Sequence, residues 1–298
     1  LALQNLPGTW PVELVAEEPP TELTLLRPQS SQEVSALLIA LAAHPHARTL
    51  RVLGTIPSQP YLGMTARLLT RFHAEVRRES DGELQLFTVR GPLVAPGEAL
   101  ALEPDASSAA VVLAAACLSG GEVRVPDLGR ESLQGDVRVV EHLAAFGCDA
   151  RHETDALSAR GFPTRAAELD LTGEPDLAPV LAVVAAAAAR VGGGTSRLRG
   201  LGTLPGKESD RLGVLAQLLT TLGFEAMAGA DTLTIGPGTR PALPTLLDPR
   251  GDHRMVFACA LLGLLEPGIR CRSAGAVAKS WSSFWSDLEQ LGAHVARA

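Results

Sequence analysis

The strongest constraint on the fold is an internal repeat, because one structural pattern occurs four times along the 298 residues. Each copy has a polar turn, an apolar helix, a short β-rich segment and a second turn. Each copy then has an amphipathic helix that stops near a Leu-Gly or Phe-Gly pair. Equivalent points lie about 70–77 residues apart, a period too long for a solenoid. We therefore predict a β-α-β-α-β-β unit used four times, in an α/β (α+β) architecture with helices packed on sheets.

Polar residues gather at the predicted helix starts. The first helices of the four copies are predicted to begin at Ser30-Ser31-Gln32, Ser107-Ser108, Pro175-Asp176 and Asp252-His253-Arg254. The second helices are predicted to begin near Tyr61, at Gln134-Gly135-Asp136, at Lys207-Glu208-Ser209-Asp210-Arg211 and at Lys279-Ser280. Leucines at helical spacing from Leu212 to Leu222, followed by Gly223, and Phe284, Leu288 and Leu291, followed by Gly292, predict the buried faces of two of these second helices.

Lysine and tyrosine are scarce in this chain. Only Lys207 and Lys279 are lysines among the 26 basic residues, and Tyr61 is the single tyrosine. All three lie at predicted helix starts, where free N–H groups and the positive end of the dipole attract anions. Arginine clamps planar anions and lysine acts as a movable charge. The pattern therefore predicts a pocket for a small molecule with several negative charges.

Each of these helix starts also has a purely structural interpretation. Ser30 and Ser31 are typical N-cap residues. The Lys207–Arg211 segment is also consistent with a solvated first turn of a helix. Asp252 is consistent with an N-cap, next to an arginine whose aliphatic stem lies along the apolar surface. Asp176 is open to the same N-cap interpretation.

Composition excludes several other classes of function. The net charge of −7 argues against a nucleic-acid partner. Four widely spaced cysteines (Cys117, Cys148, Cys259 and Cys271) are expected to be inert thiols in a reducing cytoplasm. The apolar run from Val180 to Ala189 is too short for a membrane span, and the N-terminal segment does not read as a signal peptide. No residue spacing suggests a metal site, and no Gly-rich nucleotide loop is present.

Seven motifs together resemble the 5-enolpyruvylshikimate-3-phosphate (EPSP) synthase family, in its order and spacing. They are Ser30-Ser31-Gln32, Ser58-Gln59-Pro60-Tyr61, Asp105-Ala106-Ser107-Ser108-Ala109, Gln134-Gly135-Asp136, Lys207-Glu208-Ser209-Asp210-Arg211, Asp252-His253-Arg254-Met255 and Lys279-Ser280. The resemblance implies an inverse α/β barrel of two domains, each with three repeats, and an active site in the cleft between them. Four of the six repeats have counterparts here. Residues 1–103 are expected to be the third repeat of the first domain, and residues 104–298 the complete second domain.

The resemblance also implies roles for individual residues. The expected shikimate 3-phosphate ligands are Ser30, Ser31, Gln32, Ser58, Tyr61, Asp176, Thr203 and Lys207, with Thr203 at a position where the family often has Asn. The expected phosphoenolpyruvate ligands are Arg211, His253, Arg254 and Lys279. Asp176, Glu208 and Lys207 are the expected catalytic residues, without metal or other cofactor. The first two repeats of the family carry further cleft residues that have no counterpart here.

Other interpretations remain open at this point. The enolpyruvyl transferase that acts on UDP-N-acetylglucosamine shares the fold but lacks the Lys-Glu-Ser-Asp-Arg run. The RNA 3′-phosphate cyclase group uses a related repeat, but the acidic charge argues against it. A third interpretation is a truncated, catalytically incomplete homologue or half of a split enzyme, which binds shikimate 3-phosphate at most. Self-association, or a complementing N-terminal fragment, is expected to cover apolar surface on the first unit.

Overall fold

The computed structural model describes residues 20–192, 194–240 and 244–296. The chain divides into two compact units, Leu1–Ala101 and Leu102–Ala298. That these units correspond to the last repeat of a first domain and to a complete second domain remains a prediction.

The first unit contains one full copy of the predicted repeat. Its elements are β1 (Glu22–Leu26), α1 (Ser31–Ala42), β2 (Arg48–Leu53), α2 (Pro60–Arg71), β3 (Glu75–Asp81) and β4 (Leu84–Arg90). The sheet order is β1-β2-β4-β3, with β1 and β2 parallel and the other neighbours antiparallel. Both helices pack against this sheet, so apolar residues of α1 such as Val34 and Leu38 are fully buried.

The second unit contains three further copies. The first has α3 (Ala106–Ser119), β5 (Glu122–Pro126), α4 (Val139–Ala145), β6 (Asp149–His152) and β7 (Ala156–Arg160). The next has β8 (Glu168–Asp170), α5 (Ala178–Gly192), β9 (Ser196–Arg199), α6 (Arg211–Thr221), β10 (Phe224–Ala228) and β11 (Thr232–Gly238). The last has β12 (Thr245–Leu247), α7 (His253–Leu265), β13 (Ile269–Cys271) and α8 (Phe284–Gln290).

Sheet topology confirms the predicted fold class. The copy around α5 forms a sheet in the order β8-β9-β11-β10, which is the strand order of the first unit. Its first two strands are parallel and the remaining neighbours antiparallel, again as in the first unit. In the described part of the chain, the copy around α3 lacks the first strand and the copy around α7 lacks the final hairpin. The repeat is therefore complete twice and shortened twice.

Three helices, α3, α5 and α7, pack on one another to form the core of the second unit. Every residue from Ala178 to Ala189 in α5 is buried. Alanine favours the helix and has no side-chain entropy to lose, so it suits a helix enclosed on all sides. The segment Pro175–Gly192 has the length and mean hydropathy of a membrane span, but 78% of it is buried inside the protein. It is the central core helix, as the sequence predicted for Val180–Ala189.

The α-helix predicted to begin at Gln134-Gly135-Asp136 begins at Val139, after the 3-10 turn Gly135–Arg138. Two further helix starts need correction. The helix expected at Lys279-Ser280 begins at Phe284, and Lys279 ends a 3-10 segment, Ala274–Lys279. Phe284 is buried and packs edge-on against Phe257, with ring centroids 4.8 Å apart, so tertiary packing sets this start. Leu291, predicted on the buried face, is 61% exposed.

The second correction concerns the charged run before α6. Lys207 and Glu208 lie in a loop, and the helix begins only at Arg211. Asp210 is the N-cap, since its side chain accepts from the Gly213 N–H at 3.0 Å. Lys207 and Glu208 are therefore held in place by side-chain contacts.

The cysteines are free thiols. Cys117, Cys148 and Cys259 are buried and Cys271 is half-buried, which agrees with the expected packing role.

Candidate active site

Arg211 is the centre of the candidate site in the second unit. Its side chain is 1% exposed, yet it contacts three carboxylates. Its Nε donates to Asp252 Oδ2 at 2.8 Å, its Nη1 to Asp176 Oδ1 at 3.0 Å and its Nη2 to Glu208 Oε2 at 2.6 Å. Charge-assisted bonds of this kind are strong and directional. One buried guanidinium therefore fixes two of the predicted catalytic carboxylates relative to each other.

Asp252 is the fully buried partner of Arg211. It is the N-cap of α7, where it accepts from the Arg254 N–H at 2.9 Å, and it also accepts from Ser209 Oγ at 3.0 Å. Burial raises the pKa of a carboxyl group, but the hydrogen bond and charge of Arg211 outweigh burial and lower the pKa of Asp252. The N-cap interpretation is confirmed, and the ion pair with Arg211 is an additional role that the sequence did not reveal.

Asp176 lies on a short 3-10 turn, Pro175–Leu177, at the start of α5. Three cations surround its carboxylate. Besides Arg211, Lys207 Nζ lies 3.5 Å from Oδ1 and Arg254 Nη2 lies 3.4 Å from Oδ2. Its side chain is 17% exposed, so it remains accessible to a ligand. This carboxylate therefore lies among three cations with part of its surface open.

Glu208 links Arg211 to the second lysine. Lys279 Nζ donates to Glu208 Oε1 at 2.6 Å, and the two side chains are 59% and 39% exposed. Burial raises the carboxyl pKa, but the Lys279 hydrogen bond and the charge of Arg211 lower the pKa of Glu208 to about 2. The site therefore holds Glu208 as a carboxylate beside an exposed ammonium group.

Arg254 is held by residues from the repeat around α3. Its Nη2 donates to Ser107 Oγ at 3.3 Å, and Ser107 in turn donates to Asp136. Asp136 is buried, and burial raises its pKa, while Ser107 and Arg254 oppose that rise. Ser107 and Asp136 were recognised as motif residues but given no role. Ser107 and Arg254 are 147 residues apart in the chain, so no local sequence pattern reveals their contact.

His253 and Thr203 are predicted ligands that each bury a polar atom. The His253 ring is buried edge-on against Phe257 at 6.2 Å between centroids. Its Nδ1 lies 3.5 Å from Asp252 Oδ1, outside hydrogen-bond geometry, and burial lowers its pKa. Thr203 Oγ1 is buried without a hydrogen-bond partner among the described residues. His253 is therefore a neutral group that packs against Phe257.

The remaining predicted ligands lie in the first unit, at the starts of α1 and α2. Ser30 is the N-cap of α1, because its Oγ accepts from the Gln32 N–H at 3.1 Å, and Ser31 is buried. Ser58 has a left-handed backbone with φ 52°, and its carbonyl accepts from the Tyr61 N–H at 3.3 Å. The N-cap interpretation of Ser30 is confirmed.

Acid titration tests the Glu208–Lys279 contact. The folded-state pKa of Glu208, about 2, lies below its ordinary value of 4.5. Its ionised form therefore stabilises the fold fully above pH 4.5, and this contribution is lost as pH falls towards 2. We expect Glu208→Gln to lower the free energy of unfolding at pH 6 and to approach the wild-type value near pH 2. Lys279→Met should remove most of the same pH dependence. Denaturation curves across this range measure both, and a pH-independent difference between Glu208→Gln and the wild type would contradict the assignment.

The fold defines the class of protein. The chain superposes on an enolpyruvyl transferase from Streptomyces tendae with a TM-score of 0.63, at 21% identity, over 87% of this chain and 58% of that chain. It superposes on an EPSP synthase from Acinetobacter baumannii with a TM-score of 0.67, at 22% identity, over 91% of this chain and 62% of that one. The architecture is that of the enolpyruvyl transferases.

Sequence comparison defines the family within that class. The model of the family described as EPSP synthase (3-phosphoshikimate 1-carboxyvinyltransferase) matches residues 9–288. A relative of that enzyme name from Methanoculleus marisnigri is 34% identical over 289 residues, 97% of this chain and 66% of the relative. Another from Syntrophobacter fumaroxidans is 35% identical over 88% of this chain and 61% of the relative. The chain belongs to the EPSP synthase family, and it spans less than two thirds of the length of these relatives.

Proposed function

We propose that this chain takes part in transfer of the enolpyruvyl group from phosphoenolpyruvate to the 5-hydroxyl of shikimate 3-phosphate, with release of phosphate. This is a step of the shikimate pathway of aromatic amino-acid biosynthesis. The observation that carries the proposal is the geometry around Arg211, which holds Asp176 and Glu208 in one cluster. Lys207, Arg254 and Lys279 supply the cations that an anionic substrate pair needs.

The reaction is an addition followed by an elimination. Asp176 accepts the proton of the 5-hydroxyl as the oxygen attacks C2 of phosphoenolpyruvate, and C3 gains a proton. The tetrahedral intermediate then loses phosphate from C2 as C3 gives its proton back, which forms the enol ether of the product, and the departing phosphate takes up the proton that Asp176 accepted. Arg211, Arg254 and Lys279 bind phosphoenolpyruvate, with His253 beside them, and Lys207 contacts shikimate 3-phosphate. Positioned acids and bases of this kind contribute about 10²–10⁴-fold each.

Glu208 serves the methylene carbon, and this role requires a change in its protonation. A carboxyl group with a pKa of about 2 holds no proton at neutral pH. An anion bound to Lys279 competes with Glu208 for the ammonium group, and burial under a ligand favours the neutral acid. Substrate binding therefore raises the pKa of Glu208 and lets it carry the proton to and from C3.

The first unit supplies the other proposed ligands of shikimate 3-phosphate. Ser30, Ser31 and Gln32 lie at the N-terminus of α1, where backbone N–H groups and the helix dipole favour an anion. Ser58 and Tyr61 lie at the start of α2. In the second unit, the buried hydroxyl of Thr203 contacts the shikimate ring.

Two further β-α-β-α-β-β repeats complete the activity. Helix α1 exposes Ala36, Ile39 and Ala40, with Ile39 49% exposed, whereas nearly all apolar residues of its counterpart α3 are buried. The 289 matched residues make up 66% of the Methanoculleus relative, so about 150 of its residues have no counterpart, roughly two repeats. We propose that two further repeats cover this face of α1, in the same protein or in a complementing polypeptide, in preference to self-association.

The cofactor requirement and the cellular compartment are proposed from the same chemistry. The proposed reaction uses no metal or redox cofactor, and the substrates are small soluble anions. Free thiols suit a reducing cytoplasm. Neither nucleic acid nor a membrane has a part in the proposal.

Calorimetry on the full chain tests the binding half of the proposal. We expect phosphoenolpyruvate to bind the wild type saturably and Arg254→Ala at least tenfold more weakly. Arg124→Ala is the matched control, since Arg124 forms exposed ion pairs with Glu153 and Asp155 outside the site. Equal binding by Arg254→Ala and the wild type, or no saturable binding by either, would overturn the site assignment.

A further inference from the structure

Glu174 is a buried carboxylate that the proposed chemistry does not use. Its side chain is 0% exposed. Oε1 accepts from Arg138 Nη1 at 2.8 Å and from His142 Nε2 at 2.8 Å, while Oε2 is buried without a hydrogen-bond partner among the described residues. A buried ionised carboxylate is costly to hold unless its partners are fixed.

The backbone of Glu174 closes the turn that carries Asp176. Its N–H donates to the Leu171 carbonyl at 3.1 Å, and its carbonyl accepts from the Leu177 N–H at 3.1 Å. Only Pro175 separates it from Asp176, and proline fixes one backbone dihedral. A shift of the Glu174 side chain is therefore transmitted to the Asp176 carboxylate over a short, stiff segment.

The two partners of Glu174 come from another repeat. Arg138 ends the 3-10 turn Gly135–Arg138, and His142 lies on the following helix, α4. The same 3-10 turn contains Asp136, which holds Arg254 through Ser107. One element thus supports the proposed base on one side and a proposed substrate-binding arginine on the other.

The contacts of the cations with Asp176 differ in length. Lys207 and Arg254 lie 3.5 and 3.4 Å from its oxygens, beyond the 2.7–2.9 Å that is usual for a charge-assisted hydrogen bond. Arg211 donates to Oδ1 at 3.0 Å. The turn therefore adds a backbone constraint to the one that Arg211 places on this carboxylate.

We propose that Glu174, clamped by Arg138 and His142, is a positioning residue that holds Asp176 in place for proton transfer. This inference rests on the proposed function of Asp176. A misplacement of about 1 Å at a reacting group costs on the order of 10²-fold in rate, so loosening the clamp lowers turnover without removing a group that binds substrate.

Glu174→Gln tests the proposal on the full chain, with Glu141→Gln as the matched control. Glu141 also pairs with Arg138, at 3.0 Å, but its side chain is 53% exposed. We expect Glu174→Gln to speed hydrogen exchange of the Leu177 N–H at least tenfold. In phosphate-release assays with the complementing repeats it should lower kcat at least tenfold and leave KM for phosphoenolpyruvate within twofold. Glu141→Gln should match the wild type in both.

Arg138→Met keeps the test decisive if Glu174→Gln folds poorly, because Arg138 is 46% exposed and its loss leaves the His142 contact. It should give smaller changes in the same direction. Equal exchange and equal kcat in the Glu174 and Glu141 variants would overturn the proposal, as would a loss confined to KM. A wild type that releases no phosphate would overturn the proposed function instead, and the exchange comparison alone would then decide whether Glu174 holds the turn.

Discussion

Lys279→Ala and Glu208→Gln are each expected to lower phosphate release by at least about 100-fold when both substrates and the complementing repeats are present. Lys279 is the most exposed cation of the site and the proposed partner of the anionic substrate, whereas Glu208 is the proposed proton carrier. Neither change should lower the free energy of unfolding at neutral pH by more than about 1 kcal/mol, because the ion pair is largely solvated. Steady-state kinetics and denaturation measure the two effects separately.

Glu153→Gln is the control for both variants. Glu153 forms a 2.7 Å ion pair with Arg124 that is exposed to a similar degree but lies on the sheet of β5, β7 and β6. It should retain wild-type turnover. Wild-type turnover in the purified Lys279 or Glu208 variant would remove these residues from the mechanism.

Arg211→Met is expected to cost about 3–5 kcal/mol of stability, since it leaves buried carboxylates without their cation. The fully buried Asp252 loses its main partner, and Asp176 and Glu208 lose the group that holds them together. Chemical denaturation of the chain measures the loss.

The double variant Arg211→Met, Asp252→Asn is the control for the Arg211 prediction. Asparagine keeps the N-cap contact and removes the unpaired charge, so the double variant should recover part of the lost stability. A loss below about 1 kcal/mol in the single variant, or no recovery in the double variant, would show that this ion pair does not organise the site.

Local rules predicted the helix starts that depend on capping. Ser30 and Asp252 each accept a backbone N–H two residues further on, so the signal lies in the neighbouring sequence. The start of α8 could not be predicted in this way. Edge-on packing of Phe284 against Phe257 and Trp281, from separate segments, sets that start.

The charged residues of the second-unit site were identified from the sequence, but the residues that hold them in place were not. Lysine scarcity and helix-start motifs pointed to Lys207, Arg211 and Lys279. Asp136 belongs to a helix-start motif that gave it no role, and Glu174 belongs to none, because their roles depend on partners 29 to 36 residues away in the chain, on other elements. Buried ion pairs between repeats are decided by tertiary packing, and a periodic pattern does not record them.

The most direct test of the proposed function is a phosphate-release assay with shikimate 3-phosphate and phosphoenolpyruvate. The chain is assayed alone and mixed with a polypeptide that supplies two further β-α-β-α-β-β repeats. We predict phosphate release that requires both substrates and the mixture. Activity of the chain alone would contradict the need for complementation, and no release under either condition would contradict enolpyruvyl transfer itself.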